Sequence, residues 1–115
     1  MPGEAARRPA GIALIGCGRI SASHLRAIAE LPDELRLIAT VDPTIETARA
    51  AAAPFGAAAF VTLDEALALP DVDAVILCSP NAAHAQQAAA ALRAGKHVLV
   101  EKPMAETGAE ALALA

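Results

Sequence analysis

Short aliphatic runs alternate along this chain with longer Ala-rich stretches in which apolar residues recur at helical spacing. The runs at residues 12–15, 35–41, 58–61, 72–78 and 97–100 predict five strands. They are nearly continuous in apolar character rather than alternating, as expected of strands buried on both faces of a parallel sheet. Between them the spacing predicts a helix from about Arg19 to Leu31 that Pro32 helps to close, and one running from a Thr44 cap toward Pro54. A short helix over 63–69 opens on Asp64 and Glu65 and stops at Pro70, and a longer one follows the turn Ser79, Pro80 and Asn81 and runs through Arg93 to Gly95, a left-handed cap position. Strands alternating with helices predict an α/β, doubly wound parallel sheet with helices on both faces. Residues 1–10 carry two Pro, a Gly and three charges without periodicity, and predict a flexible leader before a domain spanning 11–115.

Composition narrows the core. With 56% hydrophobic but 2% aromatic residues, and no Trp or Tyr, it must be packed from Ala, Leu, Ile and Val. A length of 115 residues suits one domain. The net charge of −4, with no basic cluster interleaved with aromatics, argues against nucleic acid as a partner. The doublet Arg7 and Arg8 precedes an apolar run broken by Gly16 and Gly18, too short for a signal or membrane-spanning segment, so no membrane partner and a cytoplasmic location are expected. Cys17 and Cys78 lack the spacing of a zinc site or a disulfide framework; both read as small buried hydrophobes, and no metal is expected.

The segment Gly16-Cys17-Gly18-Arg19-Ile20-Ser21 follows a predicted strand and opens a predicted helix, the context in which a Gly-x-Gly turn binds a dinucleotide. Gly16 makes the tight turn. Gly18 lets a pyrophosphate approach the backbone, and the N–H groups near Arg19 and Ile20 can bond its oxygens. Ser21 stands where Gly or Ala is usual, and is still small enough for close helix-to-strand packing. Asp42 ends the second strand some two dozen residues after Gly18, where a carboxylate accepts hydrogen bonds from the adenosine ribose. The same residue before Pro43 also suits a plain turn. Its charge would repel the extra phosphate of NADP, and residues 43–48 offer no Arg, so NAD is the expected cofactor and NADP the less favoured one.

Two further segments are more specific: Cys78-Ser79-Pro80-Asn81-Ala82-Ala83-His84, and Ala94-Gly95-Lys96-His97-Val98-Leu99-Val100-Glu101-Lys102-Pro103. Together with the Gly turn, His24 and Asp42, they make the chain resemble the glucose-fructose oxidoreductase, inositol dehydrogenase and MocA family. The resemblance implies a Rossmann domain of strand order 3-2-1-4-5, followed in the family by a further strand and a substrate domain on an open antiparallel sheet. It implies hydride exchange between a nicotinamide and a sugar, inositol or related hydroxyl compound. Ser79, Pro80 and Asn81 would line the nicotinamide-ribose side, with Asn81 serving as helix cap, ligand contact or both. His84 would lie near the cofactor, in a contact or a structural role. Lys102 is the implied catalytic residue, its ammonium stabilising the reacting oxygen and passing its proton, and Glu101 would contact the cofactor or orient Lys102. The Lys102–Pro103 bond would be cis. Without the family, Lys102 would read as solvated surface. His24 and His97 read as packing or hydrogen-bonding residues.

Thr107 and Glu110 have the spacing of a capping box, yet the helix they would open stops at Ala115 after about two turns, which suggests a piece of a longer protein. In the family an Asp and a His from the second domain complete the proton relay, so the expectation is a chain that binds NAD and is inactive alone, with sugar or polyol bound only when that domain is present. A fifth strand left at the sheet edge predicts self-association into a homo-oligomer. Two other readings compete: a non-catalytic dinucleotide-sensing module, which gives no reason for Lys102, and a CoA-binding domain, which gives none for Asp42.

Overall fold

The structure is a computed structural model and describes residues 8–18, 21–79 and 81–100. The aliphatic runs form β1 (Ala10–Ile15), β2 (Leu35–Val41), β3 (Ala58–Phe60), β4 (Ala74–Leu77) and β5 (His97–Val100). All their pairings are parallel, in the order β3-β2-β1-β4-β5. The Ala-rich stretches form α1 (Ser21–Glu30), α2 (Ile45–Ala52) with a 3-10 turn at Ala53–Phe55, α3 (Leu63–Leu67) and α4 (Asn81–Arg93). The doubly wound α/β sheet expected from the pattern, with the strand order implied by the resemblance, is the one observed.

Alternation along β1 divides the core between the two faces. Ile12 and Leu14 pack with Ile28 of α1, Leu37 and Ile76. Ala13 and Ile15 pack with Val75, Leu77, Ala66 of α3, and Ala88 and Ala91 of α4. Burying a side chain such as Leu14 contributes about 1.5–3 kcal/mol. Alanines on the inner faces of the helices bring their axes close to the sheet, which is how a core almost without aromatics fills. The buried Thr40 donates its Oγ1–H to the Ala48 carbonyl at 2.7 Å and ties α2 to β2.

One irregularity governs which face each residue of β2 meets. Ile12 pairs with Leu37, but Ala13 pairs with Ala39, so Ile38 is an extra residue in β2. Leu37 therefore joins the face of α1, while Ala39 and Val41 join the face of α3 and α4.

Several element boundaries differ from the sequence expectation. Ala10, placed in the leader, belongs to β1, because its N–H bonds the Glu34 carbonyl at 2.8 Å. Arg8 is also engaged, its guanidinium meeting both oxygens of Asp73 at 3.0 and 3.1 Å. β4 is shorter than the 72–78 run, since the Val72 N–H closes a turn onto Leu69. Thr44 sits at the N-cap of α2 but makes no side-chain cap bond; Oδ1 of Asp42 instead accepts the Thr44 N–H at 2.9 Å. Gly95 takes the predicted left-handed conformation, φ 79°. Its N–H bonds Leu92 and that of Lys96 bonds Ala91, the paired bonds that close a helix and turn the chain into β5. The expected helix at 107–115 lies outside the described residues, as does most of the leader.

Candidate dinucleotide site

The sheet order reverses between β1 and β4, and open α/β sheets hold ligands at the carboxyl ends of their strands at such a point. There a cleft of about 370 Å³ opens between the ends of β1, β2 and β4. Gly16, Gly18, Asp42, Cys78, Ser79 and Gln87 are among its lining residues.

The glycine turn is shaped from both sides. Gly16 has φ 87°, and a Cβ there would stand 2.7 Å from the Ser79 nitrogen, so the loop after β4 touches the turn backbone to backbone. Only glycine satisfies both conditions. At Gly18 a Cβ would meet nothing within 4 Å among the described residues, which leaves that face open for a ligand to approach. The two glycines thus do different work: the first seats the turn against the protein, the second leaves it bare. Ser21, buried at the start of α1, donates its Oγ–H to the Gly18 carbonyl at 2.6 Å. A hydroxyl in place of the usual small apolar residue fastens the turn while fitting the same space.

Asp42 lies at the end of β2 on the cleft rim. Its Oδ2 accepts the Cys17 N–H at 3.0 Å, while Oδ1 takes Thr44 as described. Each carboxylate oxygen keeps a lone pair for a further donor. Burial and, after it, the Asp42 charge push the Cys17 thiol up to about 11, so it stays neutral beside the space where phosphates would lie. Neither Cys17 nor Cys78 is disulfide-bonded.

Ser79 is buried, with its Oγ–H donated to Oε1 of Gln87 and its carbonyl bonded by Nε2 of His84. His84 is itself buried, 1% exposed, and is not among the residues lining the cleft. Of the two roles expected for His84, cofactor contact or structure, the bond to the Ser79 carbonyl supplies a structural one. Asn81 opens α4. His97 begins β5 and is exposed, while His24 is half-buried on α1. Gln87, one turn beyond Ala83 on the cleft wall, was missed by the sequence reading; the spacing 83, 87 along α4 was its only signal. Arg19, Ile20, Pro80, Glu101 and Lys102 lie outside the described residues. Among the described residues, no helix is long and apolar enough to cross a membrane.

A reversing parallel sheet, an uncovered glycine turn and a carboxylate at the end of the second strand define a dinucleotide-binding Rossmann domain. The chain belongs to the glucose-fructose oxidoreductase, inositol dehydrogenase and MocA family: residues 10–115 match its oxidoreductase domain of NAD-binding Rossmann fold. It is 44% identical over 104 residues to 4-carboxy-2-hydroxymuconate-6-semialdehyde dehydrogenase of Sphingobium sp., an alignment covering 90% of this chain and 33% of that protein. The structure of the WlbA dehydrogenase from Bordetella pertussis, in complex with NADH and UDP-GlcNAcA, is 38% identical and superposes with a TM-score of 0.81 over 93% of this chain and 32% of that one. KijD10, a 3-ketoreductase from Actinomadura kijaniata in complex with NADP and TDP-benzene, is 32% identical with a TM-score of 0.80, over 93% and 33%. The chain spans about a third of the length of these relatives.

Proposed function

We propose that this chain is the cofactor domain of an NAD-dependent oxidoreductase acting on a sugar, inositol or related hydroxyl compound. The observation that carries the reading is the cleft at the β1/β4 reversal, where open Gly18 faces the same space as the Asp42 carboxylate. The residues present fit a dinucleotide: the turn offers uncovered backbone to a pyrophosphate, and Asp42 offers lone pairs to ribose hydroxyls. The nicotinamide would supply the hydride acceptor or donor. Gly16 and Ser79 hold the turn and the loop after β4 in register, Ser21 fastens the start of α1, and the neutral Cys17 adds no charge against phosphate.

NAD is preferred over NADP because the carboxylate at position 42 meets the place of the extra phosphate, and like charges repel there. The relatives carry either NADH or NADP, so this preference rests on Asp42. The substrate class follows the resemblance, the sugar nucleotide held by WlbA and the semialdehyde in the Sphingobium enzyme's name; an aldehyde enters the same chemistry as its hydrate. Lys102 is the proposed catalytic residue, with Glu101 beside it, and Arg19, Ile20, Pro80 and Asn81 complete the proposed cofactor contacts. Without a substrate domain these residues bind NAD and turn over nothing.

Calorimetric titration with NAD and NADP tests the reading, with Gly18→Trp as the blocked-turn control. NAD binding that the variant abolishes supports it; a folded chain that binds neither nucleotide overturns it. Formation of NADH from a sugar or inositol by the 115-residue chain would overturn the claim of inactivity alone.

A further inference from the structure

We infer that His84 and Gln87 are positioning residues, which hold Ser79 against the glycine turn for the nicotinamide half of the dinucleotide. The inference rests on the dinucleotide reading above. Three residues apart on α4, the two side chains lie on one face of the helix and meet different atoms of the same serine. Nε2 of His84 donates to the Ser79 carbonyl, and Oε1 of Gln87 accepts from the Ser79 hydroxyl. On its other side the Ser79 backbone nitrogen sits where a Cβ on Gly16 would come within 2.7 Å. Ser79 is thereby pinned between α4 and the turn, at the wall of the cleft.

The chemistry of position 84 points the same way. His84 is among the largest fully buried side chains, at 1% exposure on the same helix as the buried Ala88 and Ala91, and unlike an aliphatic residue of that size it carries ring nitrogens that need partners. A buried ring nitrogen is costly unless bonded, and here the bond goes to a loop that touches both glycine turn and cleft. Gln87 itself lines the cleft, so its bond to Ser79 also sets the wall that a ligand would meet. Neither residue touches the reacting atoms; each acts through Ser79.

The test compares NAD with ADP, which reaches the glycine turn and Asp42 but carries no nicotinamide half. Calorimetry on the same chain should show His84→Leu weakening NAD binding roughly fivefold or more, as expected for loss of one buried hydrogen bond, with ADP binding unchanged. The ratio of the two Kd values on one sample cancels the folded fraction, so a purely structural defect leaves it constant. His84→Gln, whose amide nitrogen can replace Nε2, should restore the ratio. If His84→Leu does not fold, Gln87→Leu gives the same comparison through the hydroxyl bond. An unchanged NAD-to-ADP ratio in the folded variant overturns the positioning role. A folded wild-type chain that binds neither ligand overturns the dinucleotide reading, and the inference falls with it.

Discussion

The Cys17 N–H donates to Oδ2 of Asp42 across 3.0 Å, tying the middle of the glycine turn to the end of β2. One carboxylate therefore shapes the turn and presents itself to the cleft. A change at position 42 should loosen the turn as well as removing a carboxylate from the cleft.

Asp42→Ala should accordingly weaken both NAD and ADP. Asp42→Ser combined with Pro43→Arg removes the repulsion and adds a cation for the extra phosphate. The ratio of NADP to NAD affinity should rise by about tenfold or more. Titration of both nucleotides checks it, and an unchanged ratio would mean that Asp42 does not meet the ribose.

Gly16 and Gly18 should separate folding from binding. Gly16→Ala forces a Cβ into the Ser79 backbone and a side chain into positive φ, and should cost about 1–3 kcal/mol or more of stability. Gly18→Ala meets no atom of the described residues, so its Tm should stay near wild type while NAD binding falls. Thermal denaturation beside calorimetry distinguishes the two; equal Tm losses would contradict the division of roles.

The raised Cys17 thiol gives a pH dependence of definite sign. The folded chain keeps this proton up to about 11, whereas the unfolded chain releases it near the ordinary 9.0. The folded state binds more protons over that interval, so stability is intact below about 9 and declines as pH rises toward 11. Denaturant titrations at several pH values should show this decline in a Cys78→Ser background and less of it when Cys17→Ala is added. Alkylation of Cys17 at pH 8 should also be much slower in the folded chain than in urea.

Asp73 acts at the opposite end of the sheet. Its Oδ2 accepts the Gly11 N–H at 2.7 Å, and that bond, with the Arg8 guanidinium adding to it, holds the carboxyl below its ordinary value. The stability it contributes is present at neutral pH and fades as pH falls through the lowered pKa. Asp73→Ala should cost about 1 kcal/mol at pH 7 and less in acid, and Arg8→Ala less than that because its ion pair is largely exposed. Urea denaturation at both pH values reads the difference.

Local signals carried much of this protein. Continuous aliphatic runs mark the strands, since a doubly covered parallel sheet leaves no polar face to interrupt them. Gly95 marks the end of α4, because a left-handed cap excludes side chains and that restriction is written in one residue. Gly16, Gly18 and Asp42 were legible as a site because the order of strand, turn, helix and strand brings them together whatever packs around them. Tertiary contacts decided the rest. Leu37 and Ala39 share the parity of one strand face, yet the extra residue at Ile38 sends them to opposite cores, and only pairing with β1 shows it. His84 reads as scaffold or ligand until α4 packs on the sheet and turns its ring onto the Ser79 carbonyl. Arg8 carried no distinguishing pattern and Gln87 only its spacing from Ala83, because their partners, Asp73 and Ser79, come to them only through the fold. A sequence specifies what a backbone segment can do alone, whereas a hydrogen bond between distant groups exists only after burial has fixed where both of them stand.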